Sequence, residues 1–255
     1  MNTSLILCTP PDFLYAAVPY GLPLAHMSYQ LGANFQLFRA NGTQPLHGGL
    51  MILGDDLDEM ADGDPESLTM AVMNECEHCG FYGVSLTFSR TSPAKRAFVA
   101  RLSGQLRQAG KWLYLPEIYA GDSDWAKILI PTALSGGNLQ SRLQEVIAVY
   151  GAGRICLDIE RVRRDFCLPC RTGAGEKLSA AAFQTLIHTH NPPAFFSQDL
   201  CAYYFTYQMQ NTPHVVLYDD AVSIRKKTFL AAKLGIDSVF LLYPEVEDIL
   251  PSVLS

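Results

Sequence analysis

Short, nearly unbroken apolar runs that alternate with stretches of helical spacing constrain this chain more than any other feature. The runs are GGLMILGDD (48–56), GFYGVSLTF (80–88), KWLYLPEIY (111–119), AKILIPTAL (126–134), RICLDIE (154–160), PAFFSQD (193–199), HVVLYDD (214–220) and SVFLLYPE (238–245). Strands read this way when both faces are buried, as in a parallel sheet with helices on one side and a core on the other. The intervening segments carry helix start signals. Asp64 precedes Pro65, Ser92 precedes Pro93, and Asn138 and Ser179 stand before Leu139 and Ala180, each a natural N-cap. Gly235 closes the segment AVSIRKKTFLAAKLG, a position suited to a left-handed cap.

About eight such strands in 255 residues match the usual length of a (β/α)8 barrel, roughly 250 residues. The expected fold is one α/β barrel domain over 1–255, with an irregular lead-in at 1–45 containing a strand at 34–38, and βα repeats over 46–250. Segment 126–134 follows 111–119 too closely for a helix between them. An open, doubly wound sheet is the other arrangement; the first βα turn lacks the glycine-rich loop that would favour it.

The reactive face of a barrel lies at the C-terminal ends of its strands, so polar residues that close apolar runs are the candidates for chemistry. Asp55, Asp56, Glu117, Asp158, Glu160, Asp199, Asp219, Asp220 and Glu245 all stand there. Asp56 and Asp220 read as helix caps. Asp158 and Glu160 are two apart on one strand, so both point to one side, the mouth. Two carboxyls held close together cannot both ionise cheaply, and the one that keeps its proton can donate it to a leaving group. Arg161, Arg163 and Arg164 follow directly, and pairing with them is the competing reading of the same acids.

Composition narrows the function classes. A net charge of −6 with dispersed basic residues argues against a nucleic-acid partner. The run Leu5 to Cys8 is shorter than the core of a secretory leader, about 7–15 residues, and no window reaches the roughly 20 apolar residues of a membrane span. A cytoplasmic location without a membrane partner is therefore expected. Of seven cysteines, Cys76/Cys79 precede a strand and Cys167/Cys170 follow one, so a barrel separates the two C-x-x-C pairs and no shared metal is expected. Either pair alone remains readable as a dithiol, reduced thiols being the rule inside cells. His188 and His190 read as helix C-terminal residues, and Gly136-Gly137-Asn138 as a tight turn or a phosphate cradle. No cofactor motif is present.

With these residues in place, the chain resembles the chitinase-like glycoside hydrolases of family 18, in particular their small bacterial barrel relatives. LDIE (157–160) resembles the second half of that family's D-x-x-D-x-D-x-E strand motif, with Asp158 and Glu160 at its last two acid positions. YDDAVSIRKKTFLAAKLGIDSVFLLYPEVED (218–248) resembles its closing unit of strand end, helix and last strand, and GFYGVSLTF is similar to its G-x-D-G-x-x-x-D type of strand. The resemblance spans 80–248. It implies hydrolysis of a glycoside of an N-acetylated sugar, assisted by the substrate's own acetamide, with Glu160 as general acid and Asp158 orienting the acetamide and stabilising the cationic intermediate. It also implies a carbohydrate ligand bound at the mouth by Glu117, Tyr119, Asp199, Tyr203, Tyr218, Asp219 and Glu245, with Tyr204 a further ring for stacking. The chain departs from the motif at Gly153 and Cys156, where two further acids are expected, and at Leu242, where the last strand carries a Trp. The catalytic Tyr has no clear counterpart, AYYFTY (202–207) being the nearest. A non-catalytic barrel binding glycan or protein through the same mouth is the alternative. An open cleft around Glu160 supports catalysis, and burial against Arg163 or Arg164 opposes it.

Overall fold

Closing a sheet on itself removes its edges, and this chain does so with eight parallel strands. The computed structural model describes residues 3–40, 46–55, 63–170, 173 and 175–255. β1 (Ser4–Thr9) and β2 (Leu24–Gly32) open the barrel with a single helical turn, α1 (Leu14–Ala17), between them. β3 (Gln36–Arg39) folds back antiparallel on β2. Then come β4 (Leu50–Gly54), α2 (Pro65–His78), β5 (Gly83–Leu86), α3 (Pro93–Gln108), β6 (Trp112–Pro116), β7 (Lys127–Pro131), α4 (Leu139–Tyr150) and β8 (Ile155–Ile159). After an insertion, α6 (Ala221–Lys233) and β14 (Ser238–Leu242) finish the barrel, followed by the short α7 (Tyr243–Val246) and α8 (Leu250–Leu254). The order is β1-β14-β8-β7-β6-β5-β4-β2, and parallel pairing of β1 with β2 closes it.

The apolar runs sort by side-chain direction. Ile6, Cys8, Ala25, Leu50, Ile52, Tyr114, Leu129, Cys156 and Phe240 fill the lumen, with the Tyr114 and Phe240 rings 5.0 Å apart. Their neighbours along each strand, such as Leu7, Met51, Val84, Leu115, Leu157 and Leu241, pack outward in a larger core shared with Phe98, Leu102, Leu143 and Ile224 of the helices. The capping residues act as their chemistry suggests. Asp64, Ser92, Asn138 and Ser179 each accept backbone N–H groups of the helix they precede, and Asp220 forms a capping box with Ser223 on α6.

Two expectations are corrected. The lead-in 1–45 is not irregular, because it supplies barrel strands β1 and β2, and the strand foreseen at 34–38 is the outlying β3. The runs at 193–199 and 214–220, taken for barrel strands, instead contain β11 (Phe195–Ser197) and most of β13 (Thr212–Tyr218), two members of an antiparallel sheet inserted between β8 and α6. That sheet also holds β9 (Arg163–Cys167), β10 (Glu176–Lys177) and β12 (Ala202–Met209), in the order β10-β9-β13-β12-β11. One face lies under α5 (Ala180–His190), where Phe183 packs on Phe205, Tyr207 and Val216. The other face carries Ala202, Leu217, Phe166 and Tyr204 toward Ala133, just past the end of β7. The tight link between β6 and β7 carries only a short 3-10 turn, Glu117–Asp122.

The insertion leaves and rejoins the barrel at one point. Val162 and Asp219 exchange backbone and side-chain bonds: Asp219 N–H donates to Val162 O at 2.8 Å, and Val162 N–H donates to Asp219 Oδ2 at 3.0 Å. Lys227 Nζ on α6 lies 2.7 Å from the same carboxylate, with both side chains fully buried, and Ser223 Oγ donates to the other oxygen at 2.8 Å. Removing one partner of such a pair leaves an uncompensated buried charge, which costs about 3–5 kcal/mol. Lys227→Met should therefore lower unfolding stability by about that amount in urea titration, and adding Asp219→Asn should recover part of the loss.

Candidate active site

β8 delivers its two carboxyls to the open end of the barrel. Cys156 faces the lumen, so Asp158, two residues on, faces the same way at the mouth. The Asp158 side chain makes no hydrogen bond or ion pair among the described residues. Its neighbours along the barrel wall are Pro131 of β7 and Phe240 of β14. Solvent reaches it from above, while the packed wall around it withholds hydration from its charged form. Desolvation first, then the charges of Glu160 and Glu245, push its pKa up to about 6.

Glu160 is engaged where Asp158 is bare. Arg164 Nη2 stands 3.3 Å from Glu160 Oε1 and Lys177 Nζ 4.0 Å away, and the carboxylate remains about one third exposed. Lys177 also bridges to Glu245 Oε1 at 2.7 Å. Glu245 in turn accepts from the Arg161 backbone N–H at 3.2 Å, and its carbonyl accepts from the Arg161 and Arg163 guanidiniums. The mouth thus holds three acids, of which Glu160 and Glu245 are laced by Arg161, Arg164 and Lys177 of the insertion and Asp158 is not. Glu245, foreseen at a strand end, lies on α7 three residues past β14 and shares Lys177 with Glu160.

The other candidate binding residues fall elsewhere. Tyr119 is wholly buried, donates to the Arg90 carbonyl at 2.7 Å and packs edge-on to Phe88; it belongs to the outer core, because the turn after β6 directs it there. Asp219 is the buried partner of Lys227 and is spent on the neck. Asp199 holds the start of α4, accepting from Asn138 Nδ2 at 2.7 Å while its carbonyl accepts from Leu139 N–H. This places a carboxylate beside Gly136-Gly137-Asn138 and opposes a phosphate there. Glu117 pairs with Arg142 of α4. Tyr203 and Tyr218 stack on each other at 5.7 Å on the sheet face that packs under α5, where Tyr218 meets Phe183 at 4.9 Å. Tyr204, one residue from Tyr203, points to the opposite face. Asp55 accepts from Ser89 N–H and pairs with Lys95 at 2.7 Å, and Asp56 lies outside the described residues.

A groove lies along the insertion, with Arg164, the partner of Glu160, on its inner wall. Its inner part, about 240 Å³, is lined by Ala133, Val162, Arg164, Phe166 and Leu217. Its outer part, about 470 Å³, adds Leu168, Cys170, Leu200 and Tyr204. No sequence signal marked this groove, since it forms only where the insertion sheet faces the end of β7. Among the described residues no three His, Cys, Asp or Glu side chains gather where a metal could sit. All seven cysteines are free, with Cys76 and Cys79 at the end of α2 and Cys167 and Cys170 at the end of β9.

The D-x-x-D-x-D-x-E spacing can also be laid along β5 and its flanks, where it meets Tyr82, Ser85, Thr87 and Ser89. None is an acid. Ser85 is fully buried with its hydroxyl unpartnered.

Solved structures share this architecture. A chitinase from Chromobacterium violaceum superposes with a TM-score of 0.71 at 15% identity, covering 99% of this chain and 98% of that one. The fold is that of the chitinase barrels. A class V chitinase from Pseudomonas fluorescens matches 99% of this chain and 100% of its own length (TM-score 0.70, 17% identity), and the Bacillus cereus spore cortex-lytic enzyme SleL matches 99% of this chain and 74% of its own (TM-score 0.70, 16% identity). No family model and no curated sequence matches the chain. Within this barrel, LDIE is carried on β8 and the residue after it, β8 being the seventh barrel strand in chain order.

Asp158 ties the mouth to stability. A free aspartate ionises near pH 4, whereas Asp158 holds its proton to about pH 6. Between those values the unfolded chain has released a proton that the folded chain keeps, so this group lowers stability as pH rises. Urea unfolding at about pH 4.5 and 7.5 should show wild type losing stability relative to Asp158→Asn at the higher pH.

Proposed function

We propose that the chain is a glycosidase-type barrel directed at an N-acetylated sugar chain, with Asp158 and Glu160 as its working pair and Glu245 holding the cations around them. The observation that carries this is the bare Asp158 at the mouth, whose pKa near 6 lets it exchange a proton under physiological conditions. The resemblance to family 18 assigns the acid to Glu160; the geometry favours exchanged roles. Asp158 is the carboxyl free to protonate a glycosidic oxygen. Glu160, held by Arg164 and Lys177, is positioned to face developing positive charge on the sugar and acetamide. The groove lined by Phe166 and Tyr204 supplies apolar and aromatic surface for successive sugar rings. A chitinase from Cycas revoluta with this barrel was solved with (GlcNAc)4, which supports an N-acetylglucosamine oligomer as the first ligand to test.

A second reading is glycan binding without turnover. It is favoured by the two cations on Glu160 and by the absence of acids along Tyr82, Ser85, Thr87 and Ser89. Incubation with the N-acetylglucosamine tetramer, followed by product analysis and calorimetry, separates the two. A glycosidase of the proposed kind releases shorter sugars at a rate that falls as pH rises through about 6. Asp158→Asn then loses about 10²-fold or more in turnover while binding persists, and Glu160→Gln loses less than Asp158→Asn. Binding in wild type with no product at any pH establishes the second reading, and neither binding nor product overturns both.

A further inference from the structure

The groove along the insertion is walled by apolar and small side chains, with one exception. Among the described residues that line its two parts, Arg164 alone is charged. Arg164 is two residues from Phe166 on β9, so both project from the same face of the sheet, the face that meets Leu217 and Tyr204. Its guanidinium is about one third exposed and stands between the groove and Glu160. The bonds it makes among the described residues are long: Nη2 is 3.3 Å from Glu160 Oε1 and Nη1 is 3.4 Å from the Gly175 carbonyl oxygen. Lys177 Nζ, by contrast, lies 2.7 Å from Glu245 Oε1. A guanidinium carries five N–H donors in a fixed fork, so Arg164 keeps donors for a ligand.

A ligand that fills the groove expels water from this fork. The lining offers it hydroxyls, those of Ser135, Ser197 and Tyr204, but no anion. A neutral ligand would therefore leave a positive charge against apolar walls with only Glu160 to offset it, which is costly. A carboxylate on the ligand takes two of the donors side by side, the geometry in which arginine binds most strongly. We propose that the sugar chain taken by this site carries a carboxylate, and that Arg164 is the residue that selects it. This names the substrate class of the function proposed above and rests on that reading. The incoming carboxylate competes for the guanidinium with Glu160, whose bond to it is already long, while Lys177 stays with Glu245. The charge of the substrate thus loosens one of the two cations on Glu160 as that carboxylate turns to positive charge on the sugar.

Calorimetry on the full chain tests this with two N-acetylglucosamine tetramers that carry carboxyls, one at C6 of each ring and one as 3-O-lactyl ethers on alternate rings. Each is compared with its neutral methyl ester and with the unmodified tetramer. At least one acid should bind about tenfold or more tighter than its ester, the gain expected of a charge-assisted pair, and the gap should narrow as salt is raised. In Arg164→Gln the acid and its ester should bind alike, whereas Lys177→Gln keeps the gap. Urea unfolding reports whether Arg164→Gln is folded; should it not be, Arg164→Lys replaces it, keeping the charge but losing the fork, so that the gap narrows. Acids that bind no tighter than their esters, while the unmodified tetramer binds, overturn the inference and leave the glycan reading standing. A gap that persists in full in the folded variant overturns the assignment to Arg164. No binding by any of these sugars overturns both.

Discussion

The buried pair of Asp219 and Lys227 is the joint on which the rest of the molecule turns. Asp219 directly follows β13, Lys227 lies two turns along α6, and the same carboxylate accepts the Val162 N–H where the chain first leaves the barrel. One side chain thereby fixes both ends of an insertion of some five strands and a helix. The hydroxyl of Ser223 donates to the other carboxylate oxygen, and the Asp219 N–H donates to the Val162 carbonyl, so the desolvation of both charges is offset by several bonds. The pair anchors the start of β9, and so Arg163 and Arg164, beside the mouth.

That joint explains why the two acids of β8 differ so much despite being one turn of strand apart. Asp158 sits below the neck, against barrel wall, and meets no cation. Glu160 sits at the neck, where Arg164 and Lys177 come from the insertion. Desolvation by the surrounding wall and nearby negative charge act on one and ion pairing on the other, and this is how environment separates neighbouring carboxyls. The insertion also creates the groove, by laying Phe166, Tyr204 and Leu217 across from the end of β7.

Much of the barrel was legible in the chain. The runs that became β4, β5, β6, β7, β8 and β14 are apolar on both alternating faces, because one face fills the lumen and the other meets helices. The caps at Asp64, Ser92, Asn138, Ser179 and Asp220 were legible for the same local reason, since a side-chain oxygen next to free N–H groups needs nothing distant. β1 and β2 were hidden: Pro10, Pro11, Pro19 and Pro23 break the segment between them, and a four-residue apolar run carries too little periodicity to reveal a barrel strand. HVVLYDD was misplaced because a strand lying between a helix and a barrel end is as apolar as one inside the barrel.

The site shows the same division. Spacing alone put Asp158 and Glu160 on one side of one strand, and local chemistry marked Asp220 as a cap. Alternation could say that Tyr203 and Tyr204 point opposite ways but not which of them meets α5 and which the groove. Nor could it show that Tyr119 is buried or that Asp219 is consumed by Lys227. Periodicity, capping and the order of elements are written in neighbouring residues, so the sequence by itself determined the class of barrel and the acid-bearing strand. Which strands pair, which face of the insertion is covered, and which carboxyl stays bare depend on contacts between residues dozens to hundreds apart, and only the tertiary structure decided them.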